Sequence, residues 1–291
     1  MRTGRIIKGV GGLYTVMDDT GGVYVLRCKG KFRKLRMTPL VGDRVAFTPG
    51  RGEAHGWLEE IEPRSTVCSR PPVANAEILA VMVAPLPKPD MLMADKLFLA
   101  ALRQGMTPVM VFNKVDLDDG YYEELTRDYQ DTGIAMYPVC ALTGRGIPQL
   151  REALKGRVTC LAGQSGVGKS TFINRALGAD RITGDISDRI HRGRHTTRHV
   201  ELIEKDGFSI LDTPGFSLLE TEEIDPAELQ HDYREFVPYI GSCKFSVCYH
   251  DGEPGCAVSR AAQAGHIAAG RLERYRIILA QVKAKRRDQN G

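Results

Sequence analysis

Residues 158–177 read VTCLAGQSGVGKSTFINRAL, and this stretch decides the fold. It opens on the apolar run Val158–Ala162, turns through three glycines and continues into the helical pattern Thr171–Leu177. Gly163, Gln164, Ser165, Gly166, Val167, Gly168, Lys169 and Ser170 match GxxxxGK[ST], in the strand–loop–helix setting that the pattern requires. Phosphate oxygens need several donors at close range. Glycines let backbone N–H groups converge without Cβ obstruction, and the start of a helix adds its dipole. Lys169 is placed to reach the outer phosphates and to act in catalysis. Ser170 is placed to ligate Mg²⁺, with Thr171 beside it.

Outward from the loop, apolar runs alternate with helical stretches. Ile78–Val83 and Thr107–Phe112 are continuous apolar runs, as buried parallel strands are. Further strands are expected at Met136–Val139, Val200–Ile203 and Phe208–Leu211, and helices at Ala94–Arg103, Tyr121–Gln130 and Ile147–Leu154. This alternation predicts an α/β domain.

A phosphate loop does not choose the base. Asn113, Lys114, Val115 and Asp116 form NKVD just after the run Thr107–Phe112, on the edge where open α/β sheets bind ligands. Guanine offers N1–H and N2–H₂ side by side, and the Asp116 carboxylate can accept both. Adenine lacks that pair and would leave Asp116 unpaired. Asn113 can tie neighbouring loops together, and the Lys114 stem can lie on the purine face. Cys140-Ala141-Leu142 follows the next strand and is similar to the Ser-Ala-Lys loop of GTPases, whose backbone N–H binds guanine O6.

Asp212-Thr-Pro-Gly215 matches DxxG after an apolar strand. There Asp212 would hold Mg²⁺ through water and the Gly215 N–H would sense the γ-phosphate. Upstream, Arg181–His199 reads as a mobile loop. Its Thr196 and Thr197 fall where a switch supplies a Mg²⁺-ligating hydroxyl, with Thr197 the favoured ligand. Phe216 follows DTPG and can neither orient a water nor take a proton. His195 is the group in the loop that can position the attacking water, and it can equally be a solvated loop histidine. Phe216 also keeps open a second reading, a nucleotide-binding RNA scaffold that barely turns over.

The order is unusual. NKVD and Cys140-Ala141-Leu142 precede the phosphate loop, the threonine pair and DTPG, whereas ordinary GTPases run the other way round. Circular permutation moves chain ends without moving strands. The second switch then feeds directly into whatever follows the domain.

The flanks differ from this centre. Residues 1–70 carry strand-like runs at Gly4–Met17, Val23–Cys28, Asp43–Thr48 and Gly56–Ile61, which predict a small β-barrel, and Pro71 and Pro72 read as a linker. After about His231 come Cys243, Cys248, His250 and Cys256, three thiols and an imidazole within fourteen residues. That set suits one closed, structural Zn²⁺ site. Ala261–Lys285 then reads as one long helix. Residues 1–70 hold 13 basic and 7 acidic residues, residues 231–291 hold 10 and 6, and residues 71–230 hold 17 and 23. Two basic flanks around an acidic centre suit a polyanion such as RNA, and equally an ordinary solvated surface. The run Arg27-Cys-Lys29-Gly-Lys31-Phe32-Arg33-Lys34-Leu-Arg36 could meet phosphates, with Phe32 stacking on a base, or be a charged hairpin. No apolar run is long enough to span a bilayer and no signal-peptide core is present, so the chain reads as cytoplasmic, with reduced cysteines and no membrane partner.

Permuted order, small N-terminal barrel and Cys/His cluster together make the chain resemble the ribosome small-subunit-dependent GTPase A (RsgA) family of circularly permuted GTPases. The most specific pieces are GQSGVGKS, GRHTT at Gly193–Thr197, DTPGF and CKFSVCYHDGEPGCAV at Cys243–Val258. Ala74-Asn-Ala-Glu77 departs from the family's usual ANVD, and Cys140 from its usual Ser. The resemblance implies an OB-fold RNA-binding domain over 1–70, a circularly permuted P-loop GTPase domain over 71–230 and a zinc-binding domain with a C-terminal helix over 231–291. It implies a monomer that binds GTP and GDP with Mg²⁺, hydrolyses GTP late in small-subunit maturation and contacts the small ribosomal subunit and its rRNA. It also supports His195 as the water-positioning group.

Overall fold

The structure, a computed structural model, describes residues 1–50, 54–69, 71–178, 200–212 and 224–290. Five short strands come first: β1 (Arg2–Val10), β2 (Leu13–Asp18), β3 (Val23–Cys28), β4 (Arg44–Thr48) and β5 (Gly56–Ile61), with the short helix α1 (Gly30–Lys34) after β3. They pair in the order β1-β2-β3-β5-β4, and β4 returns to β1 to close a barrel. Every pair is antiparallel except β3 with β5. Ile6, Val16, Leu26, Val45, Phe47 and Leu58 fill the interior, fully buried. The expected proline linker is instead a small hairpin of β6 (Val67–Ser69) and β7 (Pro72–Ala74). Proline is tolerated there because Pro72 is the first residue of a two-stranded edge.

The central domain contains β8 (Ile78–Val83), α2 (Met91–Arg103), β9 (Thr107–Phe112), α3 (Asp119–Tyr129), β10 (Ala135–Pro138), α4 (Ile147–Leu154), β11 (Val158–Gly163), α5 (Lys169–Leu177), β12 (Glu201–Lys205) and β13 (Phe208–Asp212). The strands lie in the order β10-β9-β8-β11-β13-β12. The first five run parallel and β12 runs antiparallel to β13. Alternate residues of β8 serve opposite faces. Leu79, Val81 and Val83 pack with Ala94, Leu97 and Phe98 of α2 and with Leu125 and Tyr129 of α3. Ile78, Ala80 and Met82 pack with Ile147 and Leu150 of α4 and with Phe172 and Ile173 of α5. A strand covered on both faces has no reason to alternate apolar with polar, which is why its sequence is a continuous apolar run.

Parallel strands end at one edge. The carboxyl ends of β9, β10, β11 and β13, at Phe112, Pro138, Gly163 and Asp212, therefore lie along that edge although far apart in number. The free side of β12 is covered in turn, because Lys8 of β1 pairs with Glu201 in the ladder and by charge. Barrel and central sheet form one continuous eleven-stranded sheet.

Beyond residue 224, 3₁₀ turns at Leu229–Asp232 and Arg234–Tyr239 lead into the cysteine loop. The expected helix Ala261–Lys285 is two helices, α6 (Ala257–Gln263) and α7 (Ala269–Asn290). Gly265 takes φ +79°. Its N–H bonds Ala262 O at 3.1 Å and the His266 N–H bonds Ala261 O at 2.9 Å, a Schellman closure that stops α6. Tyr233, Phe236, Tyr275, Ile278 and Leu279 form the core of this part, with Leu99 of α2 reaching into it. Beside that core, Asp95 of α2 is fully buried and accepts from Arg271, Arg274 and the Tyr129 hydroxyl, each at 2.5 Å.

Candidate active site

The phosphate loop leaves β11 and enters α5, whose N-cap is Gly168 at φ +97° with no side-chain cap. The first N–H groups of α5 therefore face the loop rather than a capping side chain. A Cβ on Gly168 would stand 2.4 Å from Asn113 Nδ2, so only glycine fits that approach. Lys169 Nζ donates to the carbonyls of Gly163 at 2.6 Å and Gln164 at 2.8 Å, and burial lowers its pKa from the ordinary lysine value. Gln164 also accepts from the Asp90 N–H at 3.2 Å. Val167 is buried, while Ser165, Gly166, Ser170 and Thr171 lie exposed around the loop.

Asn113 begins the segment after β9 and is 2 % exposed. Its Nδ2 donates to Val167 O at 2.8 Å, and its Oδ1 accepts the Ala141 N–H at 3.0 Å. One amide thus fastens the phosphate loop to the segment after β10. Lys114 adopts φ +60°, which turns its side chain across the loop, and its ammonium donates to Leu86 O at 2.7 Å and Gly166 O at 2.8 Å. Asp116 is exposed, and the Cys140 thiol, its own backbone N–H and the charges of Arg145 and Lys114 hold its carboxylate below the usual range. Asp116 is thus an ionised acceptor facing open space.

In the Cys140-Ala141-Leu142 loop, the Ala141 N–H is donated to Asn113 Oδ1 and the Cys140 side chain is buried. Asp212 ends β13 at the same sheet edge as the phosphate loop, since Cys160 of β11 pairs with Leu211. His195, Thr196, Thr197 and Gly215 lie outside the described residues.

Cys243, Cys248, His250 and Cys256 converge so that their ligand atoms lie within 4.8 Å of one another. His250 Nε2 sits 2.8 Å from Gln230 Oε1, which assigns the proton to Nε2 and turns the Nδ1 lone pair toward the sulfurs. Nδ1 lies 3.3 Å from Cys256 Sγ and 3.8 Å from Cys243 Sγ. Tetrahedral zinc–thiolate geometry separates ligand atoms by about 3.8 Å. The N–H groups of Ala257 and Ser259 donate to Cys243 and Cys256 sulfurs. Burial, and then the neighbouring sulfurs, push the Cys248 thiol up to about 12. Three thiolates so close together need a cation to coexist. Donor set, spacing and the inward Nδ1 are compatible with a closed zinc site.

A permuted strand order that still brings NKVD and the phosphate loop together through Asn113 points to one group of proteins. The family model described as RsgA GTPase matches residues 61–222, and that of the RsgA N-terminal domain matches residues 3–57. The chain belongs to the RsgA GTPase family. The small ribosomal subunit biogenesis GTPase RsgA of Geobacillus thermodenitrificans is 44% identical, covering 98% of this chain and 99% of its own. Its counterpart in Ruminiclostridium cellulolyticum is 41% identical over 94% and 92%. The crystal structure of YjeQ from Thermotoga maritima matches with a TM-score of 0.81 at 33% identity, covering 97% of this chain and 98% of that one. The crystal structure of YloQ, a circularly permuted GTPase, matches at 0.80 and 29% identity, covering 98% and 96%. As an RsgA GTPase the chain hydrolyses GTP, and the GTPase family implies Mg²⁺ with the nucleotide.

Two features of this RsgA GTPase escape its motifs. Phe32, one of whose two readings was stacking on RNA, is 4 % exposed and packs in the barrel core, so it cannot leave without opening that core. Amphipathic placement in the five-residue α1 turned it inward. The barrel's exposed aromatic is Trp57, 45 % accessible and paired across β5 and β3 with Arg27. It is the chain's single tryptophan, which is the signal a sequence reading could have used. Arg175 of α5 is the second. Its guanidinium donates from Nε to Ala141 O at 3.3 Å and from Nη2 to Leu142 O. No motif contains it.

Proposed function

We propose that this chain is a GTP-hydrolysing factor of small ribosomal subunit biogenesis, which binds that subunit and is stimulated by it. The observation that carries the reading is the double bond pattern of Asn113, which joins the guanine-type loops to the phosphate loop at one sheet edge. Asp116 accepts the two donors of guanine. The backbone of Gly163–Gly168 and the Lys169 ammonium hold the phosphates. On entry of nucleotide, Lys169 exchanges the two carbonyls it now holds for phosphate oxygens, a stronger charged pairing. Ser170, Asp212 and Thr197 would hold Mg²⁺, which supplies charge neutralisation at the β- and γ-phosphates. His195 positions the attacking water, as Phe216 has no polar atom to do so.

The domains divide at 1–70, 71–230 and 231–291. Zinc in the Cys243, Cys248, His250 and Cys256 site is structural, because four protein ligands leave no position for substrate. The partner is the small subunit's rRNA, met by the barrel's cations Arg27, Lys31, Lys34 and Arg36 and by the Cys/His domain. Among the described residues no helix is long and apolar enough to cross a membrane. The protein acts as a cytoplasmic monomer. The test is turnover of GTP and ATP with and without purified small subunits. GTP-selective hydrolysis raised at least tenfold by the subunit is expected. Turnover that the subunit fails to raise overturns the ribosomal role, and equal use of ATP overturns the guanine site.

A further inference from the structure

α5 begins at Lys169, the phosphate end of the site. Arg175 lies six residues further on, about 9 Å along the helix axis. From there its guanidinium reaches across to the segment after β10 and takes two consecutive carbonyls, those of Ala141 and Leu142. The fork of a guanidinium is planar and rigid, so two bonds fix the orientation of the backbone it holds as well as its position. In a trans peptide the C=O and N–H point in opposite directions. Holding the Ala141 carbonyl toward α5 therefore turns the N–H of Leu142, which belongs to the same peptide, away from α5. The Ala141 N–H is committed to Asn113.

We infer that Arg175 is a positioning residue for guanine recognition, which aims the Leu142 N–H at the base oxygen O6. The inference rests on the guanine site proposed above. Two sets of bonds then tie the ends of the nucleotide site together. Asn113 and Lys114 reach from the base side to Val167 and Gly166 of the phosphate loop. Arg175 reaches from the phosphate helix to the base side. Asp116 reads the donors N1–H and N2–H₂, and the amide that Arg175 orients reads the acceptor. Leu142 itself is 69 % exposed, so its side chain does nothing to hold the backbone, and the bracing must come from a neighbour.

The test compares three nucleotides by calorimetric titration: GDP, ADP, and 2-aminopurine riboside diphosphate, which keeps guanine's amino group and lacks O6 and, with it, N1–H, so that Asp116 loses one donor in wild type and variant alike. Arg175→Ala is expected to weaken GDP about tenfold and to leave the analogue within twofold of wild type. Arg175→Lys, with one ammonium for two carbonyls, falls between. Should alanine unfold the chain, Arg175→Gln carries the same comparison. Equal weakening of GDP and the analogue shows a bracing role unconnected with O6 and overturns the inference, as does an unchanged GDP affinity. Wild-type protein that binds ADP as tightly as GDP overturns the guanine site and this inference with it. Wild-type preference for GDP together with equal losses in the variant overturns the role of Arg175 alone.

Discussion

At the scale of the residue, the site depends on atoms that leave no room for alternatives. Gly168 sits where a methyl group would collide with the amide of Asn113, in a backbone conformation costly for any L-residue. Gly168→Ala is therefore expected to displace Asn113, break its bond to Val167 and weaken GDP binding at least a hundredfold, measured by fluorescence with a labelled nucleotide. Binding within threefold of wild type would mean that Asn113 is not the joint described here. The NKVD and phosphate-loop patterns themselves were legible in the sequence, because guanine and phosphate each demand a fixed donor pattern, and the structure adds the bonds of Asn113 and Lys114 that join them. Arg175 was not, because a side chain that bonds backbone carbonyls can come from any residue that reaches them. The inward turn of Phe32 was not legible, because a basic run says nothing about which way its one aromatic turns.

At the scale of the element, two strands covered on both faces could be read to the residue. Ile78–Val83 and Thr107–Phe112 are observed as expected. The break between α6 and α7 was missed because the alanine-rich sequence favours helix through a glycine that closes the first one. α7 is fixed to α2 by buried charges, and here removal of one partner decides the outcome. Asp95→Ala leaves Arg271 and Arg274 buried without their shared carboxylate, at a cost of about 3–5 kcal/mol. Urea unfolding measures it. A loss under 1 kcal/mol would contradict the buried network. Metal removal acts on the same part of the chain. Thiol blocking should release one zinc per chain and open residues 243–282 to protease, while β8 to β11 stay protected; an unchanged digestion pattern would contradict a structural metal.

At the scale of the whole molecule, permutation changes which connections are covalent and leaves the sheet as it was. The order β10-β9-β8-β11-β13-β12 sets the carboxyl ends of β9, β10, β11 and β13 along one edge, whatever their place in the chain. The motif order alone disclosed the permutation. The continuity of the barrel with the central sheet through Lys8 and Glu201 was beyond sequence reading, since a single ladder contact has no pattern. On the proposed function, one guanine nucleotide is held by chain segments numbered far apart. The most direct test is titration of wild-type protein and Asp116→Asn with GDP and xanthosine diphosphate. Wild type should prefer GDP by at least a hundredfold. The variant, offering an amide to xanthine's extra carbonyl, should prefer xanthosine diphosphate. A variant that keeps the wild-type preference for GDP would contradict the account.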